Sequence, residues 1–391
     1  MEIPHMYLPD YDGGSIANLM ASLARACGSW ASPCPPLAEL PPARLAAVSN
    51  LVLIVVDGLG YDLLAERPGP LRPYLRGHLT SVFPSTTAAA IPTFMTGLPP
   101  SRHGLTGWHM WLREVGALLA ILPLSARPGA PLAEPLPPRA ELPQRLFRHD
   151  TLYQTMDRTS YVVSPHFIAD SPFNRYHSRG AVKQPYHGLD GLFAALGQLT
   201  AKAGRKFVYG YWPDYDSAAH EHGCRSPQAL AAMDAFATAF CAWLEQIRGS
   251  DTLVLITADH GFIDCPPERQ IALADHPLLA ECLALPLCGE RRAAWCYLKP
   301  GKAPVFEAYV RQHLAHAARA VPREQLLAEG WFGPGPCHPE LAARIGDYAL
   351  LMADDWVIHD TLPGEAPYTL IGHHGGLSPA EMRVPLLVAR P

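Results

Sequence analysis

Apolar residues in this chain fall into short unbroken runs that stop abruptly at acidic or imidazole side chains. Leu51–Val56 is six aliphatic residues with no polar alternation, ending in Asp57-Gly58-Leu59-Gly60. Such a run predicts a central strand of a parallel sheet, covered on both faces. Lys206–Tyr211 and Thr252–Thr257 repeat the form; the first runs into WPDYDSAAHEHG and the second into Ala258-Asp259-His260-Gly261. A shorter strand is predicted at Tyr161–Ser164, leading to His166-Phe167. Between these runs the spacing changes to helical, as at Ser15–Cys27 with Ile16, Leu19, Met20, Leu23 and Ala24 on one face. Thr151–Arg158, Gly188–Ala203 and Ser226–Arg248 read as further helices. Strands alternating with helices, with no internal repeat, predict an α/β fold built on one doubly wound, mostly parallel central sheet.

Other stretches depart from that rhythm. A β-like segment, Leu79–Phe83, meets a polar corner, Pro84-Ser85-Thr86-Thr87, and then a small-residue segment that can be helical up to Gly97. Pro123–Pro143 carries seven prolines and reads as a loop within a lid-like extension, 108–150, on the rim of a site. Residues 266–345 read as an inserted, smaller α/β cap between Pro/Gly-rich hinges. Within it, helices are expected at Arg269–Leu285 and Pro304–Arg319 and a strand at Ala293–Leu298; Arg344–Met352 returns as a strand and the chain closes on an edge-like strand. The main core is thus expected over 1–265 and 346–391.

Composition narrows the function classes. With 49% hydrophobic and 17% charged residues the chain can bury a large core. A net charge of −5 gives no electrostatic case for binding nucleic acid or an anionic membrane. The longest apolar runs are too short to span a bilayer, and the first twenty residues show no basic region followed by an apolar core. Nine cysteines, scattered without a CxxC pair, predict reduced thiols in a cytoplasmic protein.

Candidate metal ligands stand after the predicted strands: Asp57, Asp216 with His220, Asp259 with His260, and His373 or His374 in the Gly-rich segment near the end. Asp and neutral His suit zinc, with manganese as competitor. Asp216 and His220 share one face if their segment is helical. Three carboxylates and three imidazoles can hold two divalent ions a few ångström apart, an arrangement that clamps an in-line displacement at phosphorus. Three adjacent hydroxyls at the head of a helix, where amides and dipole favour an anion, then supply a candidate nucleophile in Thr86 or Thr87.

The ordered set VVDGLG, FPSTTAAAIPTFMTGLPPSRHG, DYDSAAHEHG, TADHG and GHHGGLSPAEMRVP resembles the alkaline phosphatase superfamily, in particular its type I phosphodiesterase/nucleotide pyrophosphatase branch, over about 50–265 and 365–390. The resemblance implies Thr87 as nucleophile, because the family residue lies ten positions before the glycine of a Thr-Gly pair, here Gly97. It implies one cation held by Asp57, Thr87, Asp259 and His260 and a second by Asp216, His220 and His374. His374 is preferred to His373 because the family histidine precedes a glycine, and Asp216 to Asp214 because of the D-x-x-x-H-x-x-G pattern ending at Gly223. It further implies hydrolysis of a phosphate ester or nucleotide through a covalent phosphothreonine.

Two features depart from the family. The asparagine expected eleven residues after Gly97 is Trp108, so His109 or Arg113 is a candidate donor in its place, and Pro92 sits inside the expected helix. Trp108, His166 and Trp212 are candidates for an aromatic wall. A sulfatase is disfavoured because no Cys-x-Pro-x-Arg or Ser-x-Pro-x-Arg stands at the polar corner; the one Cys-x-Pro-x-Arg, Cys265–Arg269, follows the Asp259-His260 segment. A phosphonate hydrolase or phosphomonoesterase on the same metal core is the alternative, and a non-catalytic metal-binding scaffold a further one.

Overall fold

In the computed structural model, residues 6–30, 32–67, 69–366 and 370–391 are described; the first five residues of the segment read as lacking a leader lie outside them. The central sheet has seven strands in the order Leu75–Thr80, Arg383–Ala389, Thr252–Thr257, Asn50–Val56, Lys206–Trp212, Thr159–Pro165, Val182–Tyr186. Asn50–Val56 pairs in parallel with both Lys206–Trp212 and Thr252–Thr257, all its residues being buried. The register sets Val56 opposite Trp212 and Val55 opposite Thr257, so the three strands finish level and deliver Asp57, Asp216 and Asp259 to one end of the sheet. Helices Gly188–Ala201 and Pro227–Gln246 bury Leu192, Leu196, Phe236 and Phe240 in the core this sheet shares with helix Ile16–Ala26.

The closing strand, Arg383–Ala389, is interior to the sheet, antiparallel to both neighbours, and Leu75–Thr80 forms the edge beyond it. Its burial on both faces matches its apolar run, Val384–Ala389, better than the edge position expected from sequence.

A second seven-stranded sheet, antiparallel throughout, runs Ala318–Pro322, Tyr348–Met352, Ala293–Cys296, Cys288–Gly289, His109–Leu112, Ala117–Ala120, Ser125–Ala126. It therefore draws strands from the expected lid as well as the expected cap, and straddles the boundary expected at 345. Side chains alternate across it: Ala294, Cys296, Leu350 and Met352 pack with Phe306 and Leu314, whereas Ala293, Trp295, Ala349 and Leu351 pack with Phe83, Trp331 and Phe332. Phe83 lies in the segment leading to the polar corner, and its ring meets Trp331 at 5.5 Å and Trp295 at 5.9 Å.

Three expected helices are shorter or broken. Thr151–Arg158 reduces to a 3₁₀ turn, Leu152–Gln154, closed by a Thr151/Gln154 capping box. Arg269–Leu285 becomes a short strand Gln270–Ala272, a 3₁₀ turn and helix Pro277–Cys282, because Pro277 cannot continue a helix from before it. Pro304–Arg319 gives helix Ala303–Tyr309, one π turn over Val310–Leu314, and then strand Ala318–Pro322. Among the described residues no helix is long and apolar enough to cross a membrane.

Candidate active site

The polar corner leads into helix Thr87–Thr96, which runs unbroken through Pro92 and ends on Gly97 in the left-handed conformation. Thr86 is its extended N-cap residue, yet its hydroxyl makes no capping bond. The three adjacent hydroxyls have separate partners. Ser85 Oγ donates to the Gly376 carbonyl at 2.8 Å and Thr86 Oγ1 to Glu290 Oε1 at 2.7 Å. Thr87 Oγ1 alone meets the strand-end cluster, 3.0 Å from His260 Nε2 and 3.5 Å from Asp57 Oδ1.

That cluster forms two triads, Asp57–Asp259–His260 and Asp216–His220–His374, each with its ligand atoms within 4.8 Å of one another. Asp216 and His220 lie four apart on helix Asp214–His222, so they do share a face. His373 and Asp214 are outside both triads: His373 pairs in the short strand Gly372–His373, and Asp214 opens the helix. Gly58 is required between the triads and the sheet. Its φ is +75°, and a Cβ there would stand 2.4 Å from the Phe262 ring.

Each imidazole is oriented by a backbone carbonyl at Nδ1: Gly372 for His220 at 2.9 Å, Gly261 for His260 at 3.1 Å and Ser85 for His374 at 3.2 Å. A carbonyl oxygen only accepts, so Nδ1 carries a hydrogen and each Nε2 is turned into the site. His220 and His374 thereby aim their Nε2 atoms at each other across 3.2 Å. Asp259 Oδ1 accepts from the Gly58 and His260 amides at 3.0 and 3.1 Å. Its Oδ2, and Asp216 Oδ1, are buried without a hydrogen-bond donor. Burial, then the Asp216 and Asp259 charges, push the Asp57 carboxyl well up. Burial and the neighbouring His260 and His220 hold His374 well below the usual imidazole range. Opposed imidazole nitrogens and orphaned carboxylate oxygens are a donor set that fits divalent cations.

The triads open into a cavity of about 650 Å³ between the two sheets. Trp108 and His109 line it; Trp108 is 40% exposed and its backbone N–H donates to Glu290 Oε1 at 2.6 Å. Burial, with Arg127 nearby, takes His109 down to about 3. Arg113 points elsewhere, paired with Glu340 at 2.8 Å. Neither remaining aromatic candidate lines this cavity. His166 stacks on His187 at 3.8 Å, and Trp212 is buried against Phe236 at 5.0 Å. Tyr211 occupies the place expected of Trp212, donating its hydroxyl to Asp57 Oδ2. Strand alternation puts residues 211 and 212 on opposite faces, a signal that could have selected Tyr211. Glu290 had no local signal; only the pairing of the second sheet brings it to Thr86. A smaller apolar cavity of about 100 Å³ also reaches Thr87, lined by Ile91, Met95, Phe173 and Tyr209.

Comparisons with known proteins bear on the fold and the family. Murine ectonucleotide pyrophosphatase/phosphodiesterase 5 superposes with a TM-score of 0.65 at 18% identity, over 87% of this chain and 88% of its own. An inactive variant of that protein in complex with AMP superposes equally well, at 0.65 over 86% and 87%. Phosphonoacetate hydrolase from Sinorhizobium meliloti 1021, in complex with phosphonoformate, has a TM-score of 0.60 at 17% identity, over 86% and 89%. At these identities the likeness shows the fold. No curated protein matches in sequence. The profile of the type I phosphodiesterase/nucleotide pyrophosphatase family matches residues 51–377, most of the chain, and the chain belongs to that family.

Proposed function

We propose that this protein hydrolyses phosphate diesters or nucleotide pyrophosphates through a covalent intermediate on Thr87. The observation that carries the reading is the sorting of hydroxyls at the polar corner: of Ser85, Thr86 and Thr87, only Thr87 reaches the carboxylate–imidazole cluster. Asp57, Thr87, Asp259 and His260 would hold one divalent cation and Asp216, His220 and His374 a second, zinc or manganese by donor type. Bound there, such cations supply Lewis-acid stabilisation of charge on the phosphoryl oxygens.

The chain's own residues account for the rest. Thr87 Oγ forms a bond to phosphorus as the bond to the leaving alcohol or nucleotide breaks, and water then cleaves the phosphothreonine and restores the hydroxyl. The Thr87 and Ala88 amides, ahead of the first helical bonds from Ala89 and Ala90 to the Thr86 carbonyl, would stabilise charge on the transferring phosphoryl group. Tyr211 fixes the rotamer of Asp57 through its hydroxyl. The family and the AMP complex of a structural neighbour support a small nucleotide or phosphate-ester substrate. All nine cysteines are free thiols, which supports a reducing, cytoplasmic setting.

Thr87→Ala should abolish turnover of bis(4-nitrophenyl) phosphate while leaving cation content intact; full activity in that variant would remove Thr87 from its role. A phosphonate hydrolase or phosphomonoesterase is the competing reading, favoured by Trp108 standing where the family asparagine is expected. A panel of phosphodiesters, phosphomonoesters and phosphonates with zinc and manganese separates the three.

A further inference from the structure

We propose that Glu290 is a charge filter that makes this site discriminate against dianionic phosphoryl groups in favour of monoanionic ones. This rests on the phosphoryl-transfer reading above and names the substrate class within it. Glu290 sits at the tip of a tight hairpin between strands Cys288–Gly289 and Ala293–Cys296, its amide bonded to the Ala293 carbonyl at 3.0 Å. The tip reaches across the cavity to the corner that carries Thr87. One carboxylate oxygen, Oε1, accepts both the Thr86 hydroxyl at 2.7 Å and the Trp108 amide at 2.6 Å. Two donors that would otherwise face a bound phosphoryl oxygen are therefore spent on a carboxylate, and an acceptor takes their place on the wall.

The charge is fixed in position. Gly375, beside His374 and with φ at +109°, leaves room for the Glu290 stem: a Cβ there would stand 2.6 Å from Glu290 Cβ. The two donors favour the ionised form, while burial lifts the carboxyl to about 7. It is thus mainly anionic in the mildly alkaline range. Of the cavity's arginines, Arg127 is neutralised by Asp360 at 2.6 Å and Glu365 at 2.7 Å. Arg291, next along the chain, lines the same cavity and offsets part of the field. A monoester or inorganic phosphate brings two negative charges to this wall and a diester one. The added repulsion is worth on the order of tenfold or more at the effective dielectric of such a cavity.

The test is Glu290→Gln, whose side-chain carbonyl still accepts from Thr86 and Trp108 while the charge is gone. With the cation-loaded protein at pH 8.5, the ratio of kcat/KM for 4-nitrophenyl phosphate over bis(4-nitrophenyl) phosphate should rise at least tenfold, carried by the monoester KM. An unchanged ratio, or equal losses on both esters, would overturn the filter and leave Glu290 a structural tie. Calorimetric binding provides a readout independent of turnover: inorganic phosphate should bind at least tenfold tighter to the variant, and diethyl phosphate nearly alike to both. If the wild type turns over neither ester, the phosphodiester reading fails, and the phosphate titration alone then decides for or against the filter.

Discussion

Glu381 is buried, and five donors converge on its two carboxylate oxygens. Arg292 Nε and the Gly376 amide reach Oε1 at 3.1 and 2.7 Å; Arg292 Nη2, the Ser378 hydroxyl and the Ser378 amide reach Oε2 at 2.8, 2.7 and 3.3 Å. Both charged partners are almost wholly excluded from water, at 1% and 0% side-chain exposure. Burial disfavours the carboxylate, but Arg292, Ser378 and Gly376 outweigh it and hold its pKa below the usual value. Glu381→Gln keeps the shape, strands the Arg292 charge in the interior and turns an amide donor toward other donors. Removing one partner of such a pair costs about 3–5 kcal/mol. Urea unfolding followed by tryptophan fluorescence should show a large fall in the midpoint at unchanged slope. Replacing both partners, Arg292→Met with Glu381→Leu, should recover most of the loss, because the isolated buried charge is the expensive element. A cost below about 1 kcal/mol for Glu381→Gln, or a double variant weaker than the single, would refute the reasoning. The network also has a functional readout. Gly376 lies two residues beyond His374 and its carbonyl receives Ser85, so Glu381→Gln should retain divalent cations less well through dialysis.

Elemental analysis of purified protein should find close to two divalent ions per chain; His374→Ala should hold about one with unchanged far-ultraviolet circular dichroism, and two retained ions would exclude His374 as a ligand. Stability should also fall in mild acid. His103, His149 and His177 are buried together, with His149 and His177 Nε2 3.0 Å apart. Burial first, with repulsion from neighbouring cations such as Arg179 adding to it, holds His149 and His177 far below normal, His177 at about 3. In the unfolded chain they titrate near ~6.5. The unfolded state therefore binds more protons between about 3 and 6.5, and stability is lost as pH drops through that window. His177→Gln should flatten the pH dependence of the urea midpoint between about 6.5 and 4.5; an unaltered slope would remove His177 as a contributor.

The parts of the molecule that were legible in sequence are those whose signal is local. Asn50–Val56 and Thr252–Thr257 announce themselves by the aliphatic runs Leu51–Val56 and Leu253–Ile256, and parallel pairing obliges their ends to converge, so Asp57 and Asp259 can be grouped from the sequence. The second sheet was largely invisible, because its strands are two to five residues long and paired across wide sequence gaps, as His109 with Gly289. Its contribution to the cavity, Glu290 above all, followed suit. Trp212 and His166 were drawn toward the site by residue type, yet a large aromatic ring is most cheaply placed in the core or against another ring, and that is where both reside. Thr87 is singled out by family spacing alone; that the Ser85 and Thr86 hydroxyls bond elsewhere follows from contacts with Gly376 and Glu290, which no sequence signal announces.

The hairpin between Cys288 and Cys296 bears on how this architecture could be taken apart. Within three residues its tip sends Glu290 to Thr86 and Arg292 to Glu381, one contact at the corner before the Thr87 helix and one at the loop after His374. Phe83 in turn plugs into the second sheet's own core beside Trp295. Insertions that merely decorate a catalytic scaffold can be trimmed by evolution or by an engineer. The second sheet is tied to the candidate site from both directions, so cutting it out would dismantle that site as well as remove a layer. Variation in substrate range among such proteins is then expected to arise by rewriting the hairpin tip residue by residue, with the surrounding layer retained whole.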